Sequence, residues 1–335
     1  MGYGVLGITA AIERDVFTRA TAAFDKGYKE AQIQHTSWRE FCEMLPSDTT
    51  IEKYPFTAPV GDMEEFKDER QVEKLSTMTS ELKNIAYEKT VGIKRTDIID
   101  DNLSLYLSRL NSLGVVAGRF PEQKVAALLN DHMDDTNTSF TLGFDTNTLF
   151  SQTHQWPVGS YASTSQDNLR GAATGNEGKM DLTYGEANIQ GAYTQLKTYK
   201  DSEGNPIGCN PNLLIVSPSV WFAARKILES TGMNLTSSAA AGTTVERGNK
   251  NVTGDLGIKV VVNNFLTSGY WALAAVNEPD IRPVLFQNRE DTWFSQQTTA
   301  ASDGVFMRDE YLYGAYRRFA VAPGKWHYIV GGDGT

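Results

Sequence analysis

The sequence predicts an α+β fold that carries a long β-arm. Three observations lead there. A charge-dense stretch, Asp48–Arg95, ends in the alternation of a strand; a helical apolar period runs from Asn102 to Met133; and short apolar strands then alternate with helices before a β-rich close. Taken in chain order, the first element is an amphipathic helix. Ile12, Val16, Ala20, Phe24 and Tyr28 recur every four residues, with Glu13, Arg14, Arg19, Asp25 and Lys26 around them. Thr9 or Thr18 offers a cap, and Gly27 is a weak point near the end.

Of the 48 residues of the charged stretch, 18 are charged, and nine of these fall within the thirteen residues Asp62–Lys74. Ordering a backbone costs roughly 1–2 kcal/mol per residue. Ile51, Tyr54, Phe56, Met63, Phe66, Val72 and Leu75 are too few to offset that inside the segment. Farther on, Ile85, Tyr87, Val91 and Ile93 share one parity while Glu88, Thr90 and Lys94 take the other, as in a strand. A segment that looks ordered without a core of its own implies completion by a neighbouring subunit. Its charges are interleaved, not blocked. Glu52, Lys53, Glu64, Glu65, Lys67, Asp68, Glu69, Arg70, Glu73 and Lys74 are therefore candidate intersubunit contacts, each exposed pair worth about 0–1 kcal/mol. The plain alternative is a solvated hairpin.

The Asn102–Met133 helix buries Leu103, Tyr106, Leu110, Leu113, Val116, Ala117 and Phe120, then Val125, Leu128 and Leu129. Asp100, Asp101 and Asn102 stand where a cap and the helix dipole favour them. Pro121 predicts a kinked or two-part helix, with Pro121 at the first position of the second part. Ser151–Met180 has almost no periodicity and is expected to be a long surface loop. A helix (Gly185–Thr198), a turn (Asp201–Gly208) and a buried strand (Leu213–Val216) follow. A helix capped by Ser217 with Pro218 first should run to Ser230, and Ile258–Val262 and Tyr270–Val276 read as strands. The close comprises strands at Ile281–Gln287, Thr292–Ser295, Gly304–Ala322 and Trp326–Gly331, with Gly314 as a bulge.

A net charge of −10 and no basic run longer than Arg317-Arg318 argue against strong general affinity for nucleic acid. Two cysteines, Cys42 and Cys209, give neither a disulfide framework nor metal spacing. Charges among the first twenty residues exclude a signal-peptide core, and no apolar run suits a membrane helix. His132 in Asp131–Asp135 invites a metal reading, against a solvated helix end; His154 reads as a hydrogen-bonded structural histidine. No nucleophile elbow, phosphate-binding loop or zinc-protease motif occurs. No catalytic residue, cofactor or metal is expected.

Lys83–Tyr106 (KNIAYEKTVGIKRTDIIDDNLSLY) resembles the Mu-like phage major head subunits, in which a strand ending V-G-[IV]-K-R leads through an acidic stretch into a long helix. The matching residues are Val91, Gly92, Ile93, Lys94, Arg95, Asp97, Asp100, Asp101, Asn102 and Leu103. Upstream, Glu52–Tyr54 and Asp68–Val72 also resemble the family. Downstream, Phe144, Asp145, Thr146, Leu149, Phe150 and His154 meet a further pattern. The resemblance implies a Hong Kong 97-type capsid fold: an N-terminal arm (1–47), an extended loop (48–95), a peripheral domain (96–140 and 279–318) with a spine helix over 102–133, and an axial α/β domain (141–278 and 319–335).

It further implies a major capsid protein of a tailed double-stranded DNA phage, a homo-oligomer of pentamers and hexamers in the virion, assembled in the host cytoplasm. Partners would be a portal, cement or decoration proteins and, since the chain starts at Met1 without a bulky extension, a separate scaffolding protein. DNA would be enclosed without sequence-specific binding, and no membrane is involved. An encapsulin-like nanocompartment shell shares the expected fold. The competitor from another class is an α/β enzyme with its site in loop 151–180.

Overall fold

A computed structural model describes residues 10–57, 65, 77–94, 96, 103–134, 139–171, 175–230, 232–233, 249–250, 253–278, 281–298 and 303–335. In chain order these form α1 (Ala10–Gln34), β1 (Cys42–Pro46), β2 (Ile51–Thr57), β3 (Thr77–Lys83), β4 (Ile85–Lys94), α2 (Leu103–Met133), β5 (Leu169–Arg170) and α3 (Gly185–Thr198). There follow β6 (Leu213–Val216), α4 (Trp221–Glu229), β7 (Gly232–Met233), β8 (Asn249–Lys250), β9 (Lys259–Val262), β10 (Trp271–Ala274), β11 (Val284–Gln297), α5 (Asp303–Arg308), β12 (Glu310–Pro323) and β13 (Ile329–Gly332).

Two sheets organise the chain. One has the order β1-β11-β12-β4, with β1 parallel to β11 and the other pairs antiparallel. The other has the order β5-β13-β10-β6-β9. The chain passes from the first to the second through a short 3-10 turn, Trp326–Tyr328, between β12 and β13. Strand β6 shows why the second sheet reads as an unbroken apolar run. All four of its residues are buried, as a strand covered on both faces must be. Leu213 and Ile215 join one core with the second half of α2 and with Phe286 and Phe319 of the first sheet. Leu214 and Val216 face the opposite core, with Ile189 and Ala192 of α3 and Ile227 of α4.

Helix α1 lies against α2 at very close range. A Cβ on Gly114 would come within 2.1 Å of Phe24 O, and one on Gly27 within 2.1 Å of Asn111 O. Gly118, one turn beyond Gly114, faces Ala31 and Tyr28 O. Glycine at these positions lets the backbones meet, and Asn111 Nδ2 donates to Ala23 O at 3.2 Å across the same seam.

Several expectations change. The break at Pro121 does not occur: α2 is one helix from Leu103 to Met133 with Pro121 inside it. A mid-helix proline costs about 3 kcal/mol. Burial of Val125, Leu128 and Leu129 just after it returns roughly 1.5–3 kcal/mol apiece. Glu122 is also pinned, accepting from Ser37 Oγ and meeting His35 Nδ1 at 2.6 Å. Ser217 does not cap α4; Pro218 lies in a turn and the helix starts at Trp221. The two late strand segments merge into the single β11, whereas the residues from Asp303 form a helix before β12 begins. Gly314 is not a bulge, since it pairs in register with both Ser295 and Thr90; the irregularities fall on β11 at Asn288/Glu290 and Glu290/Trp293.

Candidate functional site

The arm begins as a hairpin. Strands β2 and β3 pair antiparallel, from Ile51↔Lys83 to Thr57↔Thr77. Alternation divides the hairpin into two faces. Phe56, Met78 and Leu82 are buried against the body, while Ile51, Lys53 and Glu81 are exposed. Two contacts seat it along β11 and a third holds it to the segment after α2. Ser47 N donates to Asn288 O at 3.1 Å, Tyr54 Oη bonds Gln287 Oε1 at 2.8 Å, and Phe56 packs 5.2 Å from the ring of Phe144. Leu82 adds an apolar contact with Ala320 and Ala322 of β12.

The turn before the hairpin is closed by a carboxylate. Glu52 Oε1 accepts from the backbone N–H of Asp48 and of Thr49, both at 2.9 Å, and from Ser47 Oγ at 3.0 Å. These donors, the two amides first, hold the Glu52 carboxyl down at about 2. Asn84 Nδ2 donates to Ser47 Oγ at 2.7 Å and to Thr49 O at 2.8 Å. Ser47, Asn84 and Gln287 were not singled out from sequence. Asn84 and Gln287 have partners far along the chain, as does Ser47 beside its bond to Glu52, so no local pattern marks these contacts.

Of the ten arm positions taken as candidate contacts, Glu52 thus closes a turn in its own chain. Lys53 sits opposite Glu81 in the hairpin, Nζ to Oε1 at 2.5 Å, both side chains exposed. Glu65 is exposed. Glu64, Lys67, Asp68, Glu69, Arg70, Glu73 and Lys74 lie outside the described residues. The strand read at Ile85–Ile93 is present as β4. It does not extend the hairpin but borders the first sheet, in register with β12.

The segment 151–180, expected as a surface loop and the candidate enzyme site, is irregular and partly exposed over its described residues, but it turns several side chains inward. Trp156, Asn168, Leu169 and His154 are buried. Asn168 Nδ2 donates to the carbonyls of Leu149, Trp326 and Ile329 at 2.8–3.2 Å, which leaves its Oδ1 to accept from Ser151 N. The His154 ring stacks on Trp326 at 4.5 Å and 7°. His154 is therefore a hydrogen-bonded structural residue, closed off from any substrate. His132 is no solvated helix end either. It is fully buried, and its Nδ1 accepts from Leu149 N at 2.8 Å. Among the described residues no cluster of three or more His, Cys, Asp or Glu could hold a metal ion. None of the described helices is long and apolar enough to cross a membrane. Asp201–Gly208 is a tight turn, in which Asp201 Oδ1 accepts from the amides of Glu203 and Asn205.

Comparison with known proteins joins this fold to a family. The profile described as Mu-like prophage major head subunit gpT matches residues 14–180, 177–254 and 252–334. The chain belongs to the Mu-like prophage major head subunit family. The chain is 25% identical to the major capsid protein of Escherichia phage Mu over 124 residues, 37% of this chain and 40% of that protein. The chain thus spans well under two thirds of that relative in the aligned segment. Solved shells share the architecture of this head-subunit chain. The capsid of bacteriophage JBD30 decorated with minor capsid protein trimers matches at TM-score 0.51 and 18% identity, over 69% of this chain and 90% of that one. The capsid of an empty GTA particle matches at TM-score 0.52 and 11% identity, over 88% of each chain. The Hong Kong 97-type α+β capsid fold is thus present, and this family of head subunits is structural, not enzymatic.

Proposed function

We propose that this chain is the major capsid protein of a tailed double-stranded DNA phage or prophage, whose copies form pentamers and hexamers that tile the head. The β2–β3 hairpin carries the reading. Its base is fixed by Glu52, Asn84 and Gln287, yet the 58–76 segment that joins its strands holds nine charges between Asp62 and Lys74 and little apolar material to fold upon. A rigid base with a charged extension serves contact between subunits. Many weak pairs, each about 0–1 kcal/mol, let misplaced subunits dissociate before a shell closes.

The ten charged arm positions remain the proposed contacts, Lys53 and Glu65 among the described ones. The proposed division runs 1–47, 48–95, 96–140 with 279–318, and 141–278 with 319–335. A scaffolding protein, a portal and decoration proteins are the proposed partners, with the particle assembled in the host cytoplasm. DNA would be enclosed without sequence-specific contacts, in keeping with a net charge of −10.

Electron microscopy of the protein expressed alone and with its scaffold tests the reading. Closed shells or capsomer rings are expected. A monodisperse monomer in both cases would refute it. Deletion of Pro59–Thr77 should leave a folded subunit that no longer closes shells.

A further inference from the structure

A cavity of about 150 Å³ lies between α2 and the β4–β12 side of the first sheet. Strand alternation builds one wall: Tyr87 and Lys89 of β4 stand in register with Arg317 and Ala315 of β12. Leu113, Ala117 and Phe120 of α2 form the other. A largely apolar space of this size takes about one six-membered ring.

Its few polar groups decide what kind of ring. Arg317 is 8% exposed, and its Nε has no hydrogen-bond partner among the described residues; nor has the buried Oγ1 of Thr292. Both residues line the cavity. The guanidinium is only loosely held elsewhere. Its Nη2 donates to Asn288 Oδ1 at 3.3 Å and stands 3.9 Å from the exposed carboxylate of Asp291. Burial lowers the pKa of Arg317, and the Tyr28 and Asp291 side chains oppose this only in part. A buried cation of this kind is costly without a close counter-charge.

Two further cations border the space. Lys89 lines it, and Lys124 Nζ stands 5.2 Å from the ring of Tyr87 and 5.5 Å from that of Phe120. Glu88, also on the lining, has the opposite parity on β4 and accepts from Thr90 Oγ1 at 2.9 Å. A ligand carboxylate has two oxygens, enough to accept from Arg317 Nε and Thr292 Oγ1 together.

We propose that this cavity binds a small aromatic carboxylate, with the ring between α2 and the sheet and the carboxylate on Arg317 and Thr292. Every group in the site comes from one chain, independently of the shell reading.

Saturation-transfer NMR of benzoate with the full-length chain tests this, with benzamide as the uncharged control of equal size. Saturable millimolar binding of benzoate is expected. Benzamide should bind about tenfold more weakly, the loss of one charge-assisted hydrogen bond. A117F fills the cavity and should abolish binding while circular dichroism stays native. R317M should bring benzoate down to the benzamide level. Absence of saturable benzoate binding by the folded native chain would overturn the proposal. So would equal affinity for benzoate and benzamide, or benzoate binding that survives A117F. If either variant fails to fold, T292V decides: it keeps the side chain's size and should weaken benzoate several-fold. Unchanged benzoate binding by T292V would then overturn the site.

Discussion

Asp145 Oδ2 stands 2.5 Å from His154 Nδ1, with both side chains about 1% exposed. The other ring nitrogen, Nε2, lies 3.1 Å from Asn168 Oδ1. Asn168 turns its amide nitrogen to three carbonyls, so both imidazole nitrogens of His154 face side-chain oxygens. His154 thus joins Asp145 and Asn168 in one buried polar network, and its ring stacks on Trp326 at the strand-to-strand turn.

Removing one partner leaves the other buried polar group unsatisfied, at about 1–3 kcal/mol. D145N and H154A should each lower the urea unfolding midpoint by an amount in that range. The double variant should lose clearly less than their sum. Additive losses below about 1 kcal/mol would show that the two groups are not coupled by this contact.

The α1–α2 seam predicts a loss where helix propensity predicts a gain. Alanine for a mid-helix glycine is worth about 1 kcal/mol. At Gly114, however, the new methyl would sit 2.1 Å from Phe24 O, and overpacking costs about 1–3 kcal/mol. G114A should lower the thermal midpoint followed by circular dichroism, and G114L should free α1 to proteolysis. A stabilised G114A would mean that the helices do not pack as described.

Burial holds the His132 imidazole down at about 4. Its unfolded value is near 6.5, so the unfolded chain takes up a proton first as the pH drops. The contribution is complete above about pH 6.5, falls between about 6.5 and 4, and totals roughly 3 kcal/mol. His327 acts in the same sense, lowered by burial first and then by the Lys325 and His154 charges. Urea midpoints measured from pH 7.5 to 4.5 should fall more steeply for the native protein than for H132Q. Parallel curves would contradict a buried neutral His132.

At the hairpin base the sign is that of a depressed carboxylate. Glu52 supports the turn above about pH 4.5, and that support fades as the pH falls toward about 2. At neutral pH, E52Q should speed hydrogen exchange of the Asp48 and Thr49 amides several-fold, while α2 stays protected. Unchanged exchange would show that the turn forms without the carboxylate.

Local periodicity determined much of this protein. The long helix from residue 103 and the strand at Ile85–Lys94 were legible because each repeats at 3.6 or 2 residues, and the strand at Leu213–Val216 because it is an unbroken apolar run. Ordered motifs around Val91–Leu103 pointed to the family. Only the tertiary structure decided that α2 runs through Pro121, because the offsetting burial comes from residues distant in sequence. It alone decided that His154, Trp156, Asn168 and Leu169 turn inward, since Asn168 is satisfied by carbonyls as far away as Ile329. Gly27 reads as a weak point in a helix until two helices meet through it and Gly114. A chain's pattern records what each residue does to its near neighbours; pairs made across hundreds of residues leave no period to read.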